Sequence, residues 1–188
     1  MRIREWIAEN IGYRFFGCLY NKSHDHIFDF IQTKIPKDLL HRKIYDLGCG
    51  DGGNTVRVQK VFQAKEIVGY DHNDFLLKRA KKQGLQVKKF DFNLSLPKGE
   101  MAAFTFSLHH TYDKEKTLKT AVKNFKYIFI CEPCLDLYHW LFDGGEPLPK
   151  EKWIELFDKI LKKYLIYQYK NNLIVFYKKT KEYRRFFS

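Results

Sequence analysis

The stretch Ile44-Tyr45-Asp46-Leu47-Gly48-Cys49-Gly50-Asp51-Gly52-Gly53-Asn54-Thr55 constrains this chain more than any other. A short apolar run ends beside a carboxylate, and four glycines follow before helical spacing begins. Glycine reaches left-handed backbone angles at no steric cost and has no Cβ to hold a ligand away. The stretch therefore reads as a strand turning sharply into a helix against a bound group. Two kinds of ligand fit. Gly48, Gly50 and Gly53 satisfy the dinucleotide pattern G-x-G-x-x-G, a weak signal alone. Asp46, Gly48, Gly50 and Gly52 also give acid-x-G-x-G-x-G, in which a carboxylate precedes the loop. Asp46 at that point repels a diphosphate and suits a cationic amino acid moiety.

Short apolar runs at Ile44–Leu47, Ile67–Tyr70, Val87–Phe90, Ala102–Phe106 and Tyr127–Ile130 alternate with amphipathic segments at Asn54–Phe62, Asp74–Gln83 and Asp113–Asn124. Strands alternating with helices imply a parallel sheet covered on both faces, an α/β fold. The connection from Asp91 to Met101 is too short for a crossover helix. After Tyr127–Ile130 the grammar changes. Pro149 opens a helix with Trp153, Leu156, Phe157, Ile160, Leu161 and Tyr164 on one stripe, and Leu165–Tyr169, a Lys170-Asn171-Asn172 turn and Leu173–Tyr177 read as a β-hairpin. Before the main fold, Ile3, Trp6, Ile7 and Ile11, then Ile27, Phe28 and Ile31, mark two helices that Pro36 ends. With no repeat or linker in 188 residues, a single domain is expected, residues 1–40 forming a helical lid and 41–188 the core.

Each predicted strand end carries a polar group. Ile67-Val68-Gly69-Tyr70-Asp71-His72 places a carboxylate where it can accept hydrogen bonds from both hydroxyls of a ribose. Phe90-Asp91-Phe92 offers an acceptor for an adenine amino group and an aromatic wall. The fourth run continues into Thr105-Phe106-Ser107-Leu108-His109-His110, and the fifth ends Cys131-Glu132-Pro133.

In that order and at those spacings, the Asp46–Gly52 loop, Gly69-Tyr70-Asp71, Asp91, Ser107–His110 and Glu132-Pro133 resemble the class I, Rossmann-like S-adenosylmethionine-dependent methyltransferases, closest to the small-molecule type 11 branch. The resemblance covers about residues 43–133. It implies a three-layer Rossmann-like sandwich with a mainly parallel seven-stranded sheet, a C-terminal antiparallel hairpin and N-terminal helices over the pocket. It also implies S-adenosylmethionine as cofactor, its methionine portion held by Asp46, Gly48, Cys49, Gly50, Asp51 and Gly52. Asp71 would then hold the ribose, with His72 a further cofactor contact, Asp91 and Phe92 would frame the adenine, and Ser107 to His110 would lie near the sulfonium and the acceptor. Two features depart from the family pattern. Lys123-Asn124-Phe125-Lys126 replaces the usual glycine turn before the fifth strand, and the crossover after Asp91 is short.

Methyl transfer asks the protein chiefly to position a nucleophile, and a general base helps where that nucleophile carries a proton. His109 and His110 are the candidate bases because imidazole titrates near neutrality, and Glu132 is a further candidate. The same histidines could equally shape the pocket or bond backbone, and Glu132 could orient a neighbour. Cys131-Glu132-Pro133-Cys134 has the spacing of a zinc half-site or redox pair, with His109 and His110 on a neighbouring strand. The second half-site is absent, so no metal is assigned and the thiols are read as free.

The 34 Lys and Arg against 22 Asp and Glu give a formal net charge of +12. Of the basic residues 26 are Lys and 8 are Arg, whereas bidentate phosphate recognition favours Arg. The excess gathers at Lys78, Arg79, Lys81 and Lys82 and in the C-terminal third. A solvated lysine face is the plain reading; nucleic acid or an anionic surface is the alternative partner. No run is long enough to span a membrane. Glu5 lies where a secretory leader turns apolar, and cysteines are few, so a cytoplasmic protein is expected. The expected function is methyl transfer to a small-molecule acceptor. The alternatives are a nucleic-acid or protein methyltransferase, a non-catalytic cofactor-binding subunit and a nicotinamide oxidoreductase. Oligomeric state is not legible.

Overall fold

The computed structural model describes residues 24–91, 93–137 and 145–179. In chain order these form helix α1 (24–32), strand β1 (Lys43–Leu47), α2 (Gly53–Val61), β2 (Glu66–Asp71), α3 (Asp74–Lys82), β3 (Gln86–Lys89), β4 (Gly99–Thr105), α4 (Lys114–Asn124), β5 (Phe125–Pro133), α5 (Lys150–Leu161), β6 (Tyr164–Tyr169) and β7 (Asn172–Lys178). The seven strands make one sheet in the order β3-β2-β1-β4-β5-β7-β6. The β2–β1, β3–β2, β1–β4 and β4–β5 pairs are parallel, and β5–β7 and β7–β6 are antiparallel. The α/β sandwich with its terminal hairpin is thus as expected from the sequence.

Burial explains the layers. β4 and β5 are buried almost throughout, as strands covered on both faces must be. On one side, Ile27, Phe28 and Ile31 of α1 and Val58 and Val61 of α2 pack with Ile44, Met101, Phe129 and Phe176 of the sheet. On the other, Leu118 and Ala121 of α4 and Trp153, Phe157 and Leu161 of α5 pack with Leu47, Phe104, Ile128 and Val175. The Trp153 indole N–H donates to the Pro133 carbonyl at 3.0 Å, so the largest core side chain leaves no polar group unmet. Helix starts follow the capping signals. Asn73 Oδ1 accepts from the amides of Phe75 and Leu76 at 3.0 and 3.3 Å, and Asp113 Oδ1 from that of Lys116 at 2.8 Å.

The two departures from the family pattern share one explanation. Where a glycine turn is usual, α4 ends at Asn124 and β5 begins at Phe125 with no loop between them. The Asn124 amide donates to the carbonyls of Leu96 and Pro97 at 2.9 and 3.2 Å. It thereby anchors the short connection between β3 and β4, whose Leu96 is buried in the core. A side chain standing in for glycine ties down the segment that lacks a helix among its described residues.

Strand order reverses between β1, which leads outward to β2 and β3, and β4, which leads outward to β5. In open α/β sheets ligands bind at the carboxyl ends of the strands at such a switch point. Asp46, Thr105 and Ser107 all lie there.

Candidate cofactor and active site

The glycine loop follows β1. Gly48, Gly50 and Gly52 all have positive φ, at 82°, 54° and 93°. At Gly52 a Cβ would also lie 2.4 Å from Leu85 Cδ1 and 3.1 Å from Ala80 Cβ, so angle and space both demand glycine there. The amides of Gly48 and Cys49 donate to the Tyr70 carbonyl at 2.8 and 3.0 Å, fixing the loop against β2.

Asp46 is buried near the carboxyl end of β1. Its Oδ2 accepts from the Thr55 hydroxyl at 2.5 Å, while Oδ1 has no hydrogen-bond partner among the described residues. Burial pushes this carboxyl up to about 7; the Thr55 hydrogen bond opposes the shift and the charge of Asp71 adds to it. A buried oxygen without a donor is costly. Thr105 Oγ1 and Ser107 Oγ at the end of β4 are in the same condition. Three such atoms at or just beyond the ends of the two strands that flank the switch point mark a place prepared for a hydrogen-bonding ligand.

Asp71 ends β2, buried, with Oδ2 accepting from the Gly50 amide at 2.9 Å and Oδ1 from the Asn73 amide at 2.8 Å. Its carboxylate thus joins the glycine loop to the start of α3. His72 beside it is exposed, its Nδ1 3.7 Å from Asp71 Oδ1. Asp91 stands at the end of the next strand and accepts from the Asn93 amide at 2.9 Å. Phe92 lies outside the described residues. Two residues of the loop have side chains engaged within the protein. The Asp51 side chain points to α3, 3.3 Å from Arg79, and also accepts from the Gly53 amide at 3.2 Å. Cys49 packs on Gly69, where a Cβ would come 2.7 Å from its sulfur, and burial pushes the thiol up. Both residues hold the loop through these contacts.

Beyond β4 the backbone turns abruptly. Phe106 has φ +55°, a rare setting for a bulky side chain that persists only where neighbours enforce it. Its amide donates to the Cys131 carbonyl at 2.8 Å, and its ring stacks on His24 of α1 with centroids 4.6 Å apart. His24 also meets Asn54 Oδ1 at 3.0 Å through Nδ1, and burial pushes its imidazole down to about 4. Asp25 accepts from Arg57 at 2.8 Å. α1 is therefore docked on the helix that follows the glycine loop. The first of the two expected lid helices, marked by Ile3, Trp6, Ile7 and Ile11, lies outside the described residues.

Ser107, Leu108 and His109 donate their amides to Glu132, and the His109 ring pairs with the same carboxylate through Nδ1. His109 and Glu132 are both buried, whereas His110 is half-exposed, its ring 4.1 Å from that of His109 between centroids and tilted by 41°. Gly145 closes over the pair. A Cβ there would lie 2.3 Å from His109 Cδ2 and 3.0 Å from both His109 Nε2 and His110 Nδ1. The Glu146 amide donates to the His109 carbonyl at 3.0 Å. The structure thus brings Asp46, Asp71 and the glycine loop together at one end, and Ser107, His109, His110 and Glu132 at the other. Thr55, Asn54, Phe106 and Gly145 were not anticipated.

The C-x-x-C spacing has no shared site. Cys131 packs in the layer with α1 and α2, Cys134 in the layer with α4 and α5, and both are free thiols pushed up chiefly by burial. Residues three apart in extended chain face opposite ways, which separates the two sulfurs. Among the described residues no group of three His, Cys, Asp or Glu is arranged to hold a metal ion.

Residues 41–151 match the family model for a methyltransferase domain, more than half of the chain, and the protein belongs to that family. Its fold is that of the class I, Rossmann-like S-adenosylmethionine-dependent methyltransferases. A SAM-dependent methyltransferase of Thermotoga maritima superposes with a TM-score of 0.72 at 13% identity, covering 94% of this chain and 100% of that one. A chain of the complex between the Haloferax volcanii Trm112 methyltransferase activator and a methyltransferase gives 0.70 at 11%, covering 95% and 98%. An S-adenosylmethionine-dependent methyltransferase of Mesorhizobium loti gives 0.62 at 15%, covering 80% and 96%. No curated protein matches the sequence. Among the described residues no helix is long and apolar enough to cross a membrane.

The residues present fit S-adenosylmethionine. The ends of β1, β2 and β3 offer carboxylates to a cationic, hydroxyl-rich molecule, and the three unpartnered buried oxygens lie at the strand ends where its amino acid portion would be held.

Proposed function

We propose that this protein transfers a methyl group from S-adenosylmethionine to a small-molecule acceptor by in-line displacement. The observation that carries the reading is the set of unpartnered buried oxygens on Asp46, Thr105 and Ser107 beside the glycine loop. Asp46 and the loop bind the amino acid portion of the cofactor, Asp71 with His72 the ribose, and Asp91 with Phe92 the adenine. When bound, the cofactor supplies a methyl group already activated by its sulfonium. The chain's own work is then orientation, which can supply roughly 7–11 kcal/mol in the best-aligned cases. Among the proposed bases, His110 is the one open to solvent and thus to an acceptor, and it takes a proton where the nucleophile carries one.

An apolar rim favours a small acceptor. Leu94, Tyr112 and Leu137 are 81%, 76% and 71% exposed, and all three follow strands at the carboxyl edge of the sheet. The Tyr112 amide donates to Asn93 at 3.0 Å, which joins two parts of that rim. One observation favours a nucleic-acid acceptor instead. Lys78, Lys81, Lys82 and Lys88 are exposed on α3 and β3 and make no salt bridge to a described residue. The two readings part on a labelling experiment. Incubation with a methyl-labelled donor and fractionated cell extract should place label in the small-molecule fraction. Label in RNA or protein that survives physiological salt would move the acceptor to that class. Cofactor binding with no label in any fraction would favour a non-catalytic subunit that needs a partner.

A further inference from the structure

Glu132 was a candidate base, and its geometry suits another task. The carboxylate is wholly buried at the end of β5 and meets three amides and one imidazole nitrogen from one turn. Oε1 accepts from the amides of Ser107 and Leu108 at 2.8 and 2.7 Å. Oε2 accepts from the His109 amide at 3.4 Å and meets His109 Nδ1. Three consecutive N–H groups converging on one anion form a nest, a concave arrangement that takes a negative charge in preference to a neutral group. A base must present a lone pair to the proton it removes, and this carboxylate directs both oxygens at its own chain.

We propose that Glu132 is a positioning residue that acts through the histidine pair. It holds Ser107–His110 in the turn that the left-handed Phe106 begins, and it fixes the His109 ring with a proton on Nδ1. An imidazole so held turns its Nε2 edge toward Gly145 and keeps its ring in tilted contact with His110. His110 is thereby kept at the mouth of the site, between its neighbour's ring and a glycine with no side chain to displace it. The catalytic meaning of this arrangement rests on the methyl-transfer reading, but the arrangement itself is measurable without cofactor or acceptor.

The test is the protonation pattern of His109 in the whole chain, read from long-range ¹H–¹⁵N spectra of wild type and Glu132→Gln. In wild type Nδ1 carries the proton. In Glu132→Gln the amide oxygen stays on the two short backbone bonds and the NH₂ turns to the ring. Nδ1 must then accept, and the proton moves to Nε2. A wild-type His109 without a proton on Nδ1, or a proton that stays on Nδ1 in Glu132→Gln, would overturn the proposal. In parallel, S-adenosylhomocysteine affinity should stay within about threefold of wild type, because the Gln amide oxygen keeps the bonds to the Ser107 and Leu108 amides and so leaves Ser107 in place, and the glycine loop lies on other strands. Loss of that affinity by more than tenfold would make Glu132 a general structural support and overturn the positioning role. A wild-type protein that binds no S-adenosylhomocysteine, with the Nδ1 pattern intact, would overturn the methyl-transfer reading and leave the geometry standing.

Discussion

The two ends of the site are built differently. The end formed by β1 and β2 is assembled from near neighbours in sequence: a strand, four glycines, a helix and one further strand, with Asp71 Oδ2 bonded back to Gly50. The end formed by β4 and β5 is assembled from distant pieces. Glu132 reaches back to residues 107–109, Gly145 covers both histidines, and His24 of α1 stacks on Phe106. The first end is a preformed cradle whose chemistry is fixed by backbone and carboxylates. The second depends on side chains that must meet across the fold.

The largest effect should come from the first end. Asp71→Ala removes a carboxylate that accepts two amides and, on this reading, both ribose hydroxyls. S-adenosylhomocysteine affinity should fall at least ~100-fold, about 3 kcal/mol, in calorimetric titration. Gly145→Ala should separate the ends. The added methyl meets both imidazoles, so labelled-methyl transfer should fall by tenfold or more and stability by about 1–3 kcal/mol in thermal unfolding. Cofactor affinity should remain within a few-fold. Equal losses in binding and transfer would show that the two ends are not separable.

Asp46 gives a pH signature to the first end alone. Its carboxyl is raised to about 7 by burial, so below that pH it holds a proton. A cationic ligand favours the ionised form, and binding at lower pH must expel that proton. Affinity should therefore fall as pH drops through 7, by several-fold between pH 7.5 and 6, and Asp46→Asn should flatten the slope. Without ligand the sign is opposite for stability. The unfolded carboxyl ionises from about 4 upward while the folded one stays protonated to about 7, so this residue's contribution falls as pH rises across that window.

The smallest effect concerns the docking of α1. His24→Ala removes a ring stack and the Asn54 contact and should cost about 1 kcal/mol. The folded imidazole is pushed down to about 4, below its unfolded value of 6.5. The unfolded chain therefore binds a proton first as pH falls from 6.5 to 4, and the native state loses stability from His24 across that range. The gap in thermal midpoint between wild type and His24→Ala should narrow as pH is lowered from 7 to 5; a constant gap would mean that His24 is not buried against Phe106.

The contrast also explains what was legible in the sequence. The glycine loop, Asp71 and the strand–helix alternation were readable because each rests on local spacing and on glycine's backbone freedom. Asn124 was seen only as a missing glycine, since its hydrogen bonds reach back 27 and 28 residues to Pro97 and Leu96. Glu132 and His109 were each singled out, but nothing in either strand shows that they pair, because β4 and β5 are joined through α4. Thr55 carried a usable signal: on the first turn of the helix after the loop, its hydroxyl faces back to the strand that carries Asp46. That Cys131 and Cys134 share no site follows from a rule available beforehand, since an odd separation in extended chain divides two side chains between opposite faces.

The most direct test of the account is calorimetric titration of the wild-type protein with S-adenosylhomocysteine and, separately, with NAD. The expected result is saturable one-to-one binding of S-adenosylhomocysteine and none of NAD. Binding of NAD with no binding of S-adenosylhomocysteine would contradict the account at its centre, because the glycine loop would then face a diphosphate past the buried Asp46.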